Sequence, residues 1–212
     1  MKRQFLLLLL IGFISSPAYS QFTRKVSNTA VITQENSREA EEYAVYNALI
    51  EARYVTDKTK LIVINDQTDS SMGRLKENYA YLKPGRDYSE YLKMHMPKLS
   101  TEMISDFAAQ NEQNHLLKPL FDLSIRYVFI SDDEINEIFY KFENGWERYY
   151  ERYPNSQGTM TLSRVGFNSE MDKAFVEVGN QSHNLAGAGY FVFLEKENGV
   201  WTITDSIRTW MS

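Results

Sequence analysis

Five consecutive polar side chains, Asn180-Gln181-Ser182-His183-Asn184, stand between Gly179 and Gly187, just ahead of an aromatic run that opens at Tyr190. Amides, a hydroxyl and an imidazole supply both hydrogen-bond donors and acceptors, and His183 is the one of the five whose charge can change near neutral pH. Exposed loops carry binding groups more often than packed elements do. The expectation is a ligand-binding loop over 180–184 at the rim of a sheet, offering its side chains to a ligand resting on Tyr190.

Other chemistry is sought without result. His95, His115 and His183 form no helical metal-ligand pair, and the chain has no Cys, which removes thiol catalysis, thiolate zinc sites and iron–sulfur clusters. The oxygen-rich run from Asn65 to Ser71 lacks the glycine and terminal glutamate of a calcium loop. Asp132-Asp133-Glu134 is a set of acids at a helix start, where they oppose the positive end of the dipole, and not a pair facing across a cleft. No Gly-x-Ser-x-Gly elbow occurs, and Gly187-Ala188-Gly189 precedes a strand, whereas a phosphate loop follows one and opens a helix. No catalytic residue, metal site or cofactor is assigned.

The elements that must position the 180–184 segment are legible around it. Ser131 with Glu134 has capping-box spacing, and Ile135, Ile138, Phe139, Phe142, Trp146, Tyr149 and Tyr153 recur at intervals of three and four. This predicts one long amphipathic helix over 132–153, ended by Pro154, with Trp146 buried and Gly145 a weak point inside it. Strands are expected at 159–167, 173–179, 188–196 and 200–210, with Asn198-Gly199 as a type I′ hairpin turn. They predict an antiparallel four-stranded meander packed on that helix, with Phe191, Phe193, Trp201 and Ile203 on the covered face. Tyr190, Val192 and Leu194 point the other way.

Upstream, Asn36 and Glu39 cap a helix over 37–53, and Leu61 to Ile64 is a strand covered on both faces. Asp87 and Glu90 suggest a short helix before Pro97. Ser100 or Thr101 opens another, with Met103, Ile104, Phe107 and Ala108 on one face, and a strand follows over 125–130. The fold class is therefore α+β, with a mainly helical N-terminal half. A single domain spans 36–212, within which 36–123 is a candidate helical subdomain.

Met1-Lys2-Arg3, the apolar run from Phe5 to Phe13 and the small-residue exit Ala18-Tyr19-Ser20 read as a signal peptide over 1–20, cleaved before Gln21. The apolar run is shorter than the ~20 residues of a membrane span. Residues 21–35 are a loose lead-in. Export without cysteine means no disulfide, which a domain of this size does not need. The net charge is −5, and loss of Lys2 and Arg3 makes the remainder more acidic. An acidic chain without a basic run does not suit nucleic acid or an anionic membrane. The 14 Tyr, 12 Phe and 3 Trp supply either a thick core or an aromatic-lined groove.

Several stretches carry a resemblance. Gly145-Trp146-Glu147, Tyr153-Pro154, Leu162 to Asn168, Val178-Gly179-Asn180-Gln181, Ala186 to Tyr190 and Leu194 to Trp201 resemble segments of uncharacterised exported bacterial proteins. The resemblance covers roughly 140–210 and implies export and a shared fold, with no catalytic residue to carry over. The helix-plus-meander arrangement is also similar to cystatin-like and NTF2-like α+β folds, which host binding modules and enzymes alike. The resulting expectation is a periplasmic or secreted, non-catalytic module that binds a protein, peptide or glycan through Asn180, Gln181, Ser182, His183, Asn184 and Tyr190. The alternatives are a small hydrolase or isomerase with its site in a sheet-and-helix cup, and a carrier of a small ligand.

Overall fold

The computed structural model describes residues 37–70, 88–140 and 144–212. The signal peptide, the 21–35 lead-in, the Asn36 cap and Phe142 lie outside the described residues. The chain divides into two units, Met1–Glu39 and Ala40–Ser212, and the second holds the fold.

Five helices and seven strands are described. Helix α1 spans residues 37–53. Strand β1 is Leu61–Asn65, and helices α2 (Tyr88–His95) and α3 (Thr101–Gln110) precede β2 (Arg126–Ile130). Then come α4 (Asp132–Phe139), α5 (Gly145–Arg152), β3 (Ser156–Leu162), β4 (Gly166–Phe167), β5 (Lys173–His183), β6 (Ala186–Glu197) and β7 (Val200–Met211). The sheet runs β2-β1-β3-β5-β6-β7, with β4 paired to β5. The class is α+β, and the sheet is mixed: β1 lies parallel to both β2 and β3, and the pairings from β3 onward are antiparallel.

Alternation along the strands sorts the core into three clusters. Ile62, Ile64, Val176, Val178, Val192, Leu194 and Trp201 pack with Tyr46, Leu49 and Ile50 of α1 on one face. On the other face, Phe175, Phe191 and Phe193 meet Leu92 of α2 and Met103 and Phe107 of α3. Leu61, Val63 and Ile130 meet Ile138 of α4 and Tyr149 of α5. The strand from Leu61 to Ile64 is thus buried on both sides, and its unbroken apolar run follows from that.

Three expectations are corrected here. The 132–153 helix is broken: Tyr140 caps α4, Asn144 takes a left-handed conformation with φ of 64°, and α5 restarts at Gly145. A Cβ on Gly145 would lie 2.6 Å from Phe139 Cδ1, so only glycine fits where the second helix leaves the first. The apolar stripe runs through the break because both helices pack on one cluster. These helices cover β1 and β2, and not the 188–210 hairpin. Nor do the four residues assigned to one covered face share it. A shift in register between Phe193 and Leu194 pairs Leu194 with Ile203 and Lys196 with Trp201, so Trp201 and Ile203 join the α1 face while Phe191 and Phe193 face α2 and α3.

Ser131 does cap α4, its Oγ accepting from the Glu134 amide at 3.2 Å. Glu134 accepts instead from Tyr153 Oη and pairs with Arg152 Nε at 2.7 Å, so the capping box is half made. Asn198 and Gly199 both carry positive φ, 52° and 82°, as a type I′ turn requires.

Candidate functional site

The 180–184 segment is not a loop. β5 continues through His183 and β6 begins at Ala186, leaving Asn184 and Leu185 as the turn of a tight hairpin. Strand alternation therefore separates the six expected site residues, where a loop would have presented them together.

Asn180, Ser182 and Tyr190 stay together. They line a cleft of about 370 Å³ on the α1 side of the sheet, with Tyr54 from just beyond α1 and Arg208 from β7. Exposed Leu185 and Met211 stand at its rim, at 85% and 69% exposure. Large apolar side chains held in water together at the mouth of a cleft are a mark of a contact surface. Arg53 closes the α1 side, its guanidinium 5.1 Å from the centre of the Tyr190 ring, within cation–π range.

His183 and Asn184 line a different depression of about 420 Å³ with Phe139, Gly145, Trp146 and Glu147. The His183 ring stacks on Trp146 with centroids 6.1 Å apart. Gln181 lines neither; its amide donates to the His183 carbonyl at 3.1 Å and to Ser212 Oγ at 3.2 Å. His183 and Tyr190, grouped by sequence, thus line separate depressions.

Within the cleft the polar groups are oriented. Asn180 Nδ2 donates to the Gln157 carbonyl at 3.0 Å, which fixes the amide, and its Oδ1 is buried without a hydrogen-bond partner. Ser182 Oγ donates to the Ala186 carbonyl at 3.0 Å, and the Ser182 carbonyl accepts from Tyr150 Oη at 2.8 Å. Burial pushes the Tyr54 hydroxyl up to about 12 against the lowering influence of Arg53, so it remains a donor at any physiological pH. The lining therefore offers a hydroxyl donor, a guanidinium and side-chain acceptors, but no Asp or Glu side chain.

Tyr54 and Arg208 were missed by sequence reasoning. Tyr54 carried a visible signal, since it closes the apolar stripe of α1. Arg208 carried none, because its facing depends on the register shift between Gly189 and Tyr190.

The other recurring stretches are structural. In Leu162 to Asn168, the Ser163 carbonyl accepts from Tyr46 Oη, and Arg164 Nε pairs with buried Glu42 at 2.7 Å. Glu42 also accepts from the Val165 amide at 2.9 Å. A Cβ on Gly166 would meet the Phe107 backbone at 2.8 Å. These contacts lock α1 and α3 to the sheet.

Among the described residues, no group of His, Asp and Glu is arranged to hold a metal ion, and no helix is long and apolar enough to cross a membrane. Comparison with family models, curated proteins and solved structures finds no match to this chain.

Proposed function

We propose that this protein is an exported, non-catalytic binding module, periplasmic or secreted, that holds its ligand in the cleft between the end of α1 and strands β5, β6 and β7. The carrying observation is the makeup of that cleft: two tyrosines, oriented side-chain amide and hydroxyl groups, an arginine, and exposed apolar residues at the rim. Such a surface favours holding a polar, ring-bearing ligand by stacking and hydrogen bonding. Its protonated Tyr54 serves as a donor, which is a binding role.

Export rests on the leader at residues 1–20, and the resemblance to exported bacterial proteins supports it. The acidic charge supports a protein, peptide or glycan as the partner in preference to nucleic acid.

The test is binding of the purified chain to panels of oligosaccharides and peptides, beside a Tyr190→Ala variant and melting curves of both. The expected result is a ligand whose affinity falls at least about tenfold in the variant, the loss of one aromatic contact being worth on the order of 1–3 kcal/mol, with the variant still folded although less stable, because Tyr190 also packs on the α1-side core. Binding that survives Tyr190→Ala unchanged would place the site elsewhere.

A further inference from the structure

The cleft has an electrostatic character that its shape does not require. The chain carries 28 acidic side chains against 23 basic ones. Yet the cleft has no Asp or Glu side chain in its lining, while Arg208 lies in it and Arg53 flanks it over Tyr190. Neither arginine has an ion-pair partner among the described residues, whereas Arg152 and Arg164 are both paired with glutamates. Arg208 in the lining and Arg53 over the Tyr190 ring, neither in an ion pair, form a local positive field beside the cleft in an acidic protein.

The remaining groups narrow the ligand class. Asn180 Oδ1 is a buried acceptor without a donor, and Ser182 Oγ has already spent its proton on the Ala186 carbonyl. Both oxygens accept, and Asn180 Nδ2 keeps one N–H beyond its bond to the Gln157 carbonyl. A ligand that completes them brings hydroxyl or N–H donors along with its negative charge. The backbone of β5 and β6 is committed to ladders on both sides, with Asn180 paired to Ala188 and Tyr190 to Arg208, while β7 ends the sheet. An extended peptide gains most of its affinity from free main-chain groups, which here lie along the outer edge of β7 and not on the sheet face that carries the cleft. A saccharide is recognised through side chains and ring faces alone.

Resting on the proposed binding role, we infer that the cleft recognises an acidic saccharide: its carboxylate or sulfate lies on Arg208 with Arg53 behind, its ring packs against Tyr190, and its hydroxyls donate to Asn180 and Ser182. A volume of about 370 Å³ fits one or two sugar rings.

The experiment titrates the full chain with matched oligosaccharides: uronate-bearing, sulfated, and the neutral parent of each. The anionic members should bind about tenfold or more tighter than their parents, and added salt should shrink that margin. Arg208→Gln should erase the margin, lowering affinity for the anionic members far more than for their neutral parents, and Arg208→Lys should keep part of it. Preference for uronate over sulfate, or the reverse, names the source of the charge. Equal affinity for charged and neutral sugars that is still lost in Tyr190→Ala overturns the anion inference and leaves the binding role standing. Binding of acidic peptides but of no saccharide overturns the inference as well. If no probe binds the wild-type chain, both fall.

Discussion

The indole of Trp210 occupies the place of the side chain that Gly189 lacks: a Cβ built on Gly189 would stand 2.0 Å from Trp210 Nε1. Gly179 pairs directly with Gly189 across β5 and β6, and its own missing Cβ would lie 3.0 Å from Trp210 Cζ2. The ring therefore lies over two glycines of adjacent strands. The register shift on β7 skips Thr209, whose hydroxyl donates to Glu177 Oε1 at 2.8 Å on that same face.

Gly189→Ala should consequently expel the indole. The expected cost is about 1–3 kcal/mol, as for an overpacked site. A red shift of tryptophan emission should accompany the lower denaturant midpoint. Trp210→Ala in the same background should remove most of the added cost. Gly189→Ala with unchanged stability would mean that the ring rests elsewhere.

Glu42 is 4% exposed and binds three groups: the Tyr46 hydroxyl at 3.0 Å, Arg164 Nε at 2.7 Å and the Val165 amide at 2.9 Å. Glu42→Ala strands buried donors and an arginine, which should cost about 3–5 kcal/mol. Chemical denaturation measures it. A loss under about 1 kcal/mol would show that water replaces the carboxylate without difficulty.

The break in the 132–153 helix changes what Trp146 is worth. Tyr149 is wholly buried, whereas Trp146 is half-buried, resting on Phe139 and His183. Tyr149→Ala should cost about 3–5 kcal/mol and Trp146→Ala clearly less. Paired unfolding curves decide this, and the reverse order would argue for an unbroken helix with Trp146 in the core.

How far the sequence was legible follows from such cases. The capped start at Ser131, the doubly buried strand at Leu61 and the Asn198-Gly199 turn depend on neighbours in the chain, so local pattern revealed them. The helix break showed only as the weak point at Gly145, because Phe139 and Tyr149 serve one cluster on either side of it and the stripe stays in phase. The two-residue turn at Asn184-Leu185 was hidden by polar residues that read as a loop although they finish a strand. The cleft needed Tyr54, Tyr190 and Arg208 from three distant elements, and their meeting depends on strand order and register. Of the expected site residues, Asn180, Ser182 and Tyr190 meet in the cleft, while His183 and Asn184 line the Trp146 depression and Gln181 lines neither.

Alkaline pH offers a further check. Desolvation by burial raises the hydroxyl pKa of both Tyr46 and Tyr149, and that of Tyr54 to about 12. A tyrosine that holds its proton more tightly when folded contributes fully below its unfolded pKa, near 10, and that contribution is lost as pH rises toward the folded value. Stability should therefore be flat to about pH 9 and then fall by about 1.4 kcal/mol per pH unit for each such tyrosine. Tyrosinate absorbance followed with circular dichroism should show these residues ionising only with unfolding. Ionisation of every tyrosine near pH 10 in the folded protein would contradict their burial.

The cleft itself is tested most directly by an amide-resolved NMR titration of the labelled chain with the tightest saccharide of the matched set. Shifts concentrated at Tyr54, Asn180, Ser182, Ala188 to Tyr190 and Arg208 are the predicted result. Shifts confined to the Trp146–His183 depression, or none at a saccharide concentration that saturates binding, would contradict it.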